Sequence, residues 1–322
     1  MKRYARQMIL PGIGIKGQSR LNEAHILVVG AGGLGCAVLS YLASAGVGQI
    51  TLFDPDIVEE TNLHRQVLYR MADLGRPKAI AARTHLLATN PDLVLHAHVQ
   101  SIDPANAPDV IRSADLVIDA ADSFAASYTL SDICLREAKP LISASVVGQA
   151  GYVGGYCGSA PSLRAVFPDL PPSEISCASN GVMGPVVGLI GTVQAQMALQ
   201  VLIGHDPSPL GRVVTVDAAT WQSSSFTFHS APEPESYFPF LAHKDLTPQD
   251  QIFDLRSTAE TPVLITPNAI RKSQQDLISF DPESDGRVVL CCSSGLRAWR
   301  AALQLHSRGF RDMALLADRN HR

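Results

Sequence analysis

Charge is scarce in this 322-residue chain. Lys, Arg, Asp and Glu make up 17% of it and nearly cancel, leaving a net charge of −4. The basic surplus that would hold nucleic acid or an anionic membrane surface is missing, so neither is expected as a partner. Six cysteines are present without paired spacing. That excludes a disulfide framework and predicts reduced thiols in a cytoplasmic protein. The opening MKRYARQMILPG has none of the long apolar run of a secretory signal. Internal repeats and low-complexity tracts are absent too. What is abundant is apolar residues, at 46%, enough for the sizeable core of a folded enzyme, and the length allows about two domains.

Two charge-free stretches, 26–53 and 180–204, exceed the roughly 20 residues that a membrane span requires. The first is cut by GAGGLG and by Gly46 and Gly48. The second carries Pro185, Gln194, Gln196 and Gln200. Both therefore read as core segments of a soluble protein. Residues 26–29 form a short apolar, β-branched run, followed by a glycine turn, a helix over 36–45 ended by Gly46, and a second strand over 49–53 leading to Asp54. This is a βαβ unit with an acidic residue about 20 positions beyond its glycines. Further strands are predicted at 94–98, 116–118 and 141–144, and helices at 78–89, 127–137 and 185–203, so the class is α/β. Residues 230–248 hold four prolines and read as a linker. Beyond it, strands at 251–255, 288–290 and 313–316 surround a helix at 296–308, a small second domain that leans on the first.

The glycine turn alone fits an NAD-binding unit with Asp54 on the ribose. Its surroundings point elsewhere. PDIVEETNLHRQ supplies Asn62, Arg65 and Gln66, and GRPK supplies Lys78; two cations just after the second strand suit a triphosphate better than a pyrophosphate held by backbone N–H groups. RYARQMILPGIGIKGQSRL, GAGGLGCAVLSYLASAGVG, LFDPDIVEETNLHRQ, GRPKA, DLVIDAADS and NGVMGPVVGLIGTVQAQMAL together resemble the E1-like adenylyltransferases of the ThiF/MoeB/HesA family. The resemblance covers about residues 3–228. It implies a Rossmann-like adenylation domain with a mixed, mostly parallel sheet over 1–229; the proline-rich linker at 230–248 and the small α/β domain over 249–322 follow it. It also implies MgATP-dependent adenylation of the C-terminal glycine of a small ubiquitin-like sulfur carrier, by a homodimer. In that reading Gly30, Gly32, Gly33 and Gly35 shape the nucleotide turn, Asp54 holds the ribose, Asn62, Arg65, Gln66 and Lys78 face the phosphates, Arg6 reaches the partner subunit's site, and Asp122 holds Mg²⁺. Asp122 also reads as a helix N-cap. No general base is needed, because a carboxylate nucleophile is already ionised at neutral pH.

The chain departs from the family pattern in places. Ser123 and Ser127 stand where an asparagine and an arginine are usual. Ser162 and Ala165 stand where the family's first zinc-binding cysteine pair would lie, and the second pair is missing, so no zinc is expected. Cys36, Cys134 and Cys157 read as core residues. Cys177, in ISCASNGVMGP, matches a loop cysteine that bonds the carrier covalently in some members.

The C-terminal VVLCCSSGLRAWRAALQLHSRGF resembles a rhodanese active loop, with Cys292 as the thiol and Arg297 in the helix's first turn; DLRSTAE resembles an earlier segment of that fold. This implies a partly degenerate rhodanese-like domain that delivers sulfur, received from a persulfide donor such as a cysteine desulfurase. Two other readings stay open: an E1-like scaffold that binds carrier without efficient adenylation, favoured by Ser123 and Ser127, and an NAD-dependent oxidoreductase. Thiamine, molybdopterin, cysteine and other sulfur pathways all fit this reading.

Overall fold

The computed structural model describes residues 2–169, 181–278 and 286–318. An eight-stranded sheet organises the first two thirds. Strands β1 (His25–Val29), β2 (Gln49–Phe53), β3 (Val94–His98), β4 (Leu116–Asp119) and β5 (Pro140–Val147) lie in the order β3-β2-β1-β4-β5, all parallel. Strands β6 (Ala150–Cys157), β7 (Arg212–Asp217) and β8 (Gln222–Thr227) extend it antiparallel from β5. The alternation of side chains along β1 explains the layering. Ile26 and Val28 face one core, shared with α3 (Gly33–Ala45), α4 (Lys78–Thr89) and a long helix over Gly184–Ile203. Leu27 and Val29 face the other, shared with α5 (Ala107–Ser113) and α6 (Phe124–Arg136). Two short N-terminal helices, α1 (Ala5–Met8) and α2 (Gly14–Glu23), precede β1, and α7 (Leu163–Val166) follows β6.

The long helix, α8 (Gly184–Ile203), is the one described helix with the length and hydropathy of a membrane span. It starts with Pro185 in its first turn and stops at Gly204, which is left-handed at φ 72°, as proline and glycine do at helix ends. Half of its most apolar window is buried, against α3 and the sheet. Inside that contact the Gln194 amide donates to the carbonyls of Asp119 (2.7 Å) and Ile142 (3.0 Å).

A second sheet, β10 (Ile270–Arg271), β9 (Gln251–Asp254), β11 (Val288–Cys292) and β12 (Met313–Ala317) in that order, is parallel throughout. Helix α9 (Gln274–Ile278) precedes β11, and α10 (Leu296–Ser307) joins β11 to β12.

The segment expected as a linker is not free chain. Phe238, Phe240 and Ala242 are buried. The Leu241 N–H donates to the Leu315 carbonyl, and the Leu315 N–H to the Pro239 carbonyl, each at 2.8 Å. The segment is a strap that extends the second sheet beside β12. Its apolar residues recur every second position, which suits an extended strand with one buried face. The two sheets share one hydrophobic cluster, in which Ala125 and Tyr128 of α6 join Phe238, Phe240, Leu296 and Trp299.

Candidate active site

The nucleotide turn is built by close approach of backbone. At the end of β1, Gly30 is left-handed at φ 99°, and a Cβ there would lie 2.4 Å from the Ala120 carbonyl oxygen after β4. A Cβ on Gly35 would lie 2.0 Å from the Gly30 carbonyl oxygen. No larger residue fits either place, so the turn packs tightly and presents the N-terminus of α3, a natural seat for an anion. Gly32 caps that helix and Gly33 opens it.

The sequence-selected residues gather around this turn. Asp54, at the end of β2, accepts hydrogen bonds from the N–H groups of Ala31 (2.6 Å) and Asp56 (2.9 Å). Burial raises its pKa to about 6, against the opposing pull of Lys78. Lys78 is buried at the start of α4, with Nζ 2.8 Å from the Asp56 carboxylate. Arg65 reaches within 3.6 Å of the point where a Gly33 Cβ would sit, and its guanidinium donates to the Thr61 carbonyl (3.2 Å). The Asn62 carbonyl accepts from the N–H groups of Arg65 (3.1 Å) and Gln66 (3.0 Å), so it sets the turn that carries both. Gln66 is buried beside Gly32, and its Oε1 has no hydrogen-bond partner. An unpaired buried acceptor is costly, which makes it a candidate ligand contact.

Two residues at this site were not singled out from sequence. Asp56 holds Lys78, and its place in DPDIVEE was the available signal. The Tyr69 hydroxyl donates to the Ala31 carbonyl (2.8 Å) and lies 3.3 Å from that of Lys78, bracing turn and helix together; its position carried no such signal.

On the β4 side, Asp122 precedes Ser123, and Ser123 is the N-cap of α6. The alternative role of Asp122 as the cap is therefore corrected: the helix begins one residue later. Asp119 is buried, accepts from the Ser143 hydroxyl (2.7 Å), and has its pKa raised by burial against hydrogen bonds from Ser127 and Ser143. Ser127 thus turns inward to Asp119.

The second set centres on Cys292 at the end of β11. Its Sγ accepts from the N–H groups of Gly295 (3.1 Å) and Ala298 (3.4 Å), at the N-terminus of α10. Such donors stabilise a sulfur anion. Cys291, on the opposite face of the strand, sits in a separate apolar cluster, and burial pushes its thiol well up. Cys292 is itself fully buried. Phe240 of the strap and Ala125 of α6 lie against Gly295, at 2.6 Å and 3.4 Å from where its Cβ would be. Arg297 forms a bidentate pair with Glu260, at 2.8 Å and 2.5 Å.

A family model for the ThiF family matches residues 4–237. The chain belongs to the ThiF family. Among curated relatives, this ThiF-family chain is 41% identical to the adenylyltransferase and sulfurtransferase MOCS3 of Drosophila ananassae, over 68% of the chain and 49% of that protein. It is 37% identical to the adenylyltransferase and sulfurtransferase uba4 of Emericella nidulans, over 90% of the chain and 59% of that protein. The match to the probable adenylyltransferase/sulfurtransferase MoeZ of Mycobacterium tuberculosis is 30% identical, over 96% and 89%. The chain thus spans about half the length of several curated relatives it matches. Among solved structures, E. coli MccB with MccA-N7isoASN has a TM-score of 0.62 at 25% identity, over 71% of this chain and 73% of that one. Free E. coli MccB has a TM-score of 0.63 at 23%, over 75% of each chain. The fold is the Rossmann-like, mixed-sheet E1 type.

Within this ThiF-family chain, Ser162, at the first position where a zinc-binding cysteine pair would stand, caps α7. Ser162 donates from its N–H (2.7 Å) and its hydroxyl (2.5 Å) to the Glu233 carboxylate. Cys36, Cys134 and Cys157 are buried; burial lifts the Cys36 and Cys157 thiols to about 12. Arg6 is exposed on α1. Cys177 lies outside the described residues.

Proposed function

We propose that this chain uses MgATP to adenylate the C-terminal glycine carboxylate of a small ubiquitin-like sulfur carrier, and that Cys292 supplies sulfur to the activated carrier. The observation that carries the reading is the convergence of Lys78, Arg65 and Gln66 on the Gly30–Gly35 turn opposite Asp54. A carboxylate is a weak nucleophile that a polyanion repels, so the site must neutralise phosphates and fix the line of attack. The carrier carboxylate attacks the α-phosphorus, and the bond to the β-phosphate oxygen breaks with pyrophosphate leaving. Lys78 and Arg65 offset the charge of the phosphates, and Asp54 orients the ribose. Mg²⁺, which Asp122 would hold, adds charge neutralisation at the triphosphate. The Cys292 persulfide then attacks the acyl-adenylate carbonyl and AMP leaves. Arg6 completes the site of a second copy in a homodimer, and Cys177 is the candidate for a covalent carrier adduct. The related names and the rhodanese-like loop support this reading.

Ser127 favours a second reading. Its hydroxyl serves Asp119 instead of offering a cation, which is what a carrier-binding scaffold with weakened adenylation would tolerate. An oxidoreductase would leave Lys78, Arg65 and Asp122 without a task. The test is carrier-dependent exchange of pyrophosphate into ATP. Lys78→Ala and Asp122→Ala abolish exchange, and mixed Arg6→Ala and Asp122→Ala subunits recover one good site per dimer. Unchanged exchange in both single variants removes the assignment; a folded wild type that binds carrier without exchange selects the scaffold. Thermal stabilisation by NAD but not by MgATP would select the oxidoreductase.

A further inference from the structure

The mouth of the Cys292 loop carries an unusual charge arrangement. In the stretch from Cys292 to Arg297, Arg297 is the one charged residue. It is the group that would meet an anionic sulfur donor. Here its guanidinium is engaged on both edges. Nη1 donates to the Glu260 carboxylate (2.8 Å) and the Leu255 carbonyl (3.0 Å), and Nη2 donates to Glu260 (2.5 Å) and lies 3.4 Å from the Ser293 hydroxyl. Glu260 comes from the loop after β9, 37 residues away, and also accepts from the Ser293 hydroxyl at 3.4 Å. Two nearby arginines are spent within the fold. Arg256 is buried between Asp254 and Asp318, and Arg271 donates to the carbonyls of Arg256 and Thr261.

We propose that Glu260 is a specificity-determining residue that disfavours oxyanion sulfur donors such as thiosulfate at the Cys292 site relative to persulfides. This rests on the reading of Cys292 as the sulfur acceptor. A bidentate Arg–carboxylate pair uses the fork geometry that would otherwise clamp an oxyanion. The ion pair with Arg297 holds the Glu260 carboxyl down at about 2, so the negative charge persists at any working pH. A doubly charged donor would have to displace the Glu260 carboxylate from Arg297 or sit beside its negative charge. A persulfide presents an uncharged or singly charged sulfur and needs no such clamp. In the loading step the Cys292 thiolate attacks the terminal sulfur of R–S–SH. The new S–S bond forms, the old one breaks, and its electron pair leaves on the R–S⁻ thiolate; the donor's proton stays on the transferred sulfur. With thiosulfate the leaving group would be sulfite, which keeps its two charges at the mouth.

The test mixes the full chain with thiosulfate or with 2-hydroxyethyl persulfide and follows the gain of about 32 Da that marks a persulfide, absent from Cys292→Ala. Wild type is expected to load from the persulfide and only slowly from thiosulfate. Glu260→Gln is expected to load from thiosulfate at least about tenfold faster, the low end of what a one-sign field does to encounter rates. Its rate with the persulfide stays within about twofold of wild type, which separates selectivity from general loosening. Glu260→Asp, which keeps the charge, restores the wild-type preference. Equal acceleration with both donors, or a wild type that loads as fast from thiosulfate as from the persulfide, overturns the proposal while leaving Cys292 as the acceptor. If Glu260→Gln does not fold, the wild-type donor preference and the Glu260→Asp variant decide. Loading from neither donor removes the acceptor role itself, and the proposal with it.

Discussion

Arg164 is the residue whose loss should separate the two sheets. It is buried at 2% exposure, in α7, and forms a bidentate pair with Asp132 of α6 at 2.6 Å and 2.9 Å. Its guanidinium lies over three rings: Tyr237 of the strap at 4.2 Å, Tyr128 of α6 at 4.6 Å and Trp299 of α10 at 5.5 Å. One cation therefore touches α6 beside the first sheet, the strap, and α10 beside the second sheet. Arg164→Ala leaves the Asp132 carboxylate largely buried without its partner. Breaking such a pair from one side costs about 3–5 kcal/mol. Lost cation–π contacts, about 0.5–2 kcal/mol each where desolvated, act in the same direction. Asp132 limits the loss by taking up a proton: burial already raises its pKa, and Arg164 is what opposes the rise. Replacing both partners, as in Arg164→Met with Asp132→Leu, avoids the orphaned charge and should cost much less than the single change. Urea unfolding of the three proteins, with limited proteolysis at residues 230–248, reads both effects. A single variant within about 1 kcal/mol of wild type would refute the reasoning, because that is the range of an exposed pair. So would a double variant as unstable as the single, which would show that shape and not charge sets the cost.

Three further outcomes are expected. Asp54 has its pKa raised from 3.8 to about 6, so the apo protein gains stability as pH falls from 6 toward 3.8, while nucleotide affinity, which needs the ionised carboxylate, falls over the same window; thermal melts with and without MgATP across pH 4–8 should converge at the acid end, and parallel curves would refute the ribose role. Phe240→Ala uncovers the Cys292 loop and should speed alkylation of that thiol at least about tenfold, since reactivity follows thiolate access; mass mapping of the modified cysteine checks it. Purified protein should hold well under one zinc per chain by elemental analysis, given Ser162 and Ala165 at the place of the first thiolate pair; a tightly held stoichiometric zinc would overturn that.

The nucleotide turn was legible because its parts are local. The β1 strand, the glycines and the acidic end of β2 fall within 30 residues, and Lys78 begins a helix that proline introduces. The start of α6 was placed three residues late, at 127 instead of 124, where Ser123 caps it. Strands β6, β7, β8 and β10 were missed: AGYVGGYC dilutes its apolar alternation with glycine, QSSSFT has every residue exposed, and β10 is two residues long. Four prolines hid the strap, although Phe238, Phe240 and Ala242 keep strict alternation. Proline is tolerated at a sheet edge, where a missing N–H need not break a ladder. The pairs that tune the sites were out of reach for a different reason. Glu260 and Arg297 are 37 residues apart, and Ser162 and Glu233 are 71 apart. No local pattern announces a contact whose geometry is created by packing of the sheets.

Those long-range pairs also account for how a chain lacking the thiolate pairs can hold the same region in place. A closed zinc site ties two distant segments with four strong ligands at one point. Here the corresponding segments are tied by several weaker contacts spread over one surface. Ser162 fastens the start of α7 to Glu233, Arg164 fastens the same short helix to α6, and the Tyr237 ring under Arg164 carries the tie into the strap. The strap then pairs with β12, so fixing the 230s also fixes the second sheet. Phe238 stacks edge-on against Trp299 at 5.3 Å, an apolar pair that needs no metal and no thiol. The arrangement sets the Cys292 loop against the first turns of α6, the helix that follows Asp122. A free tether would leave the Cys292 loop unplaced; the docked strap fixes it against α6, with Phe240 packed over Gly295.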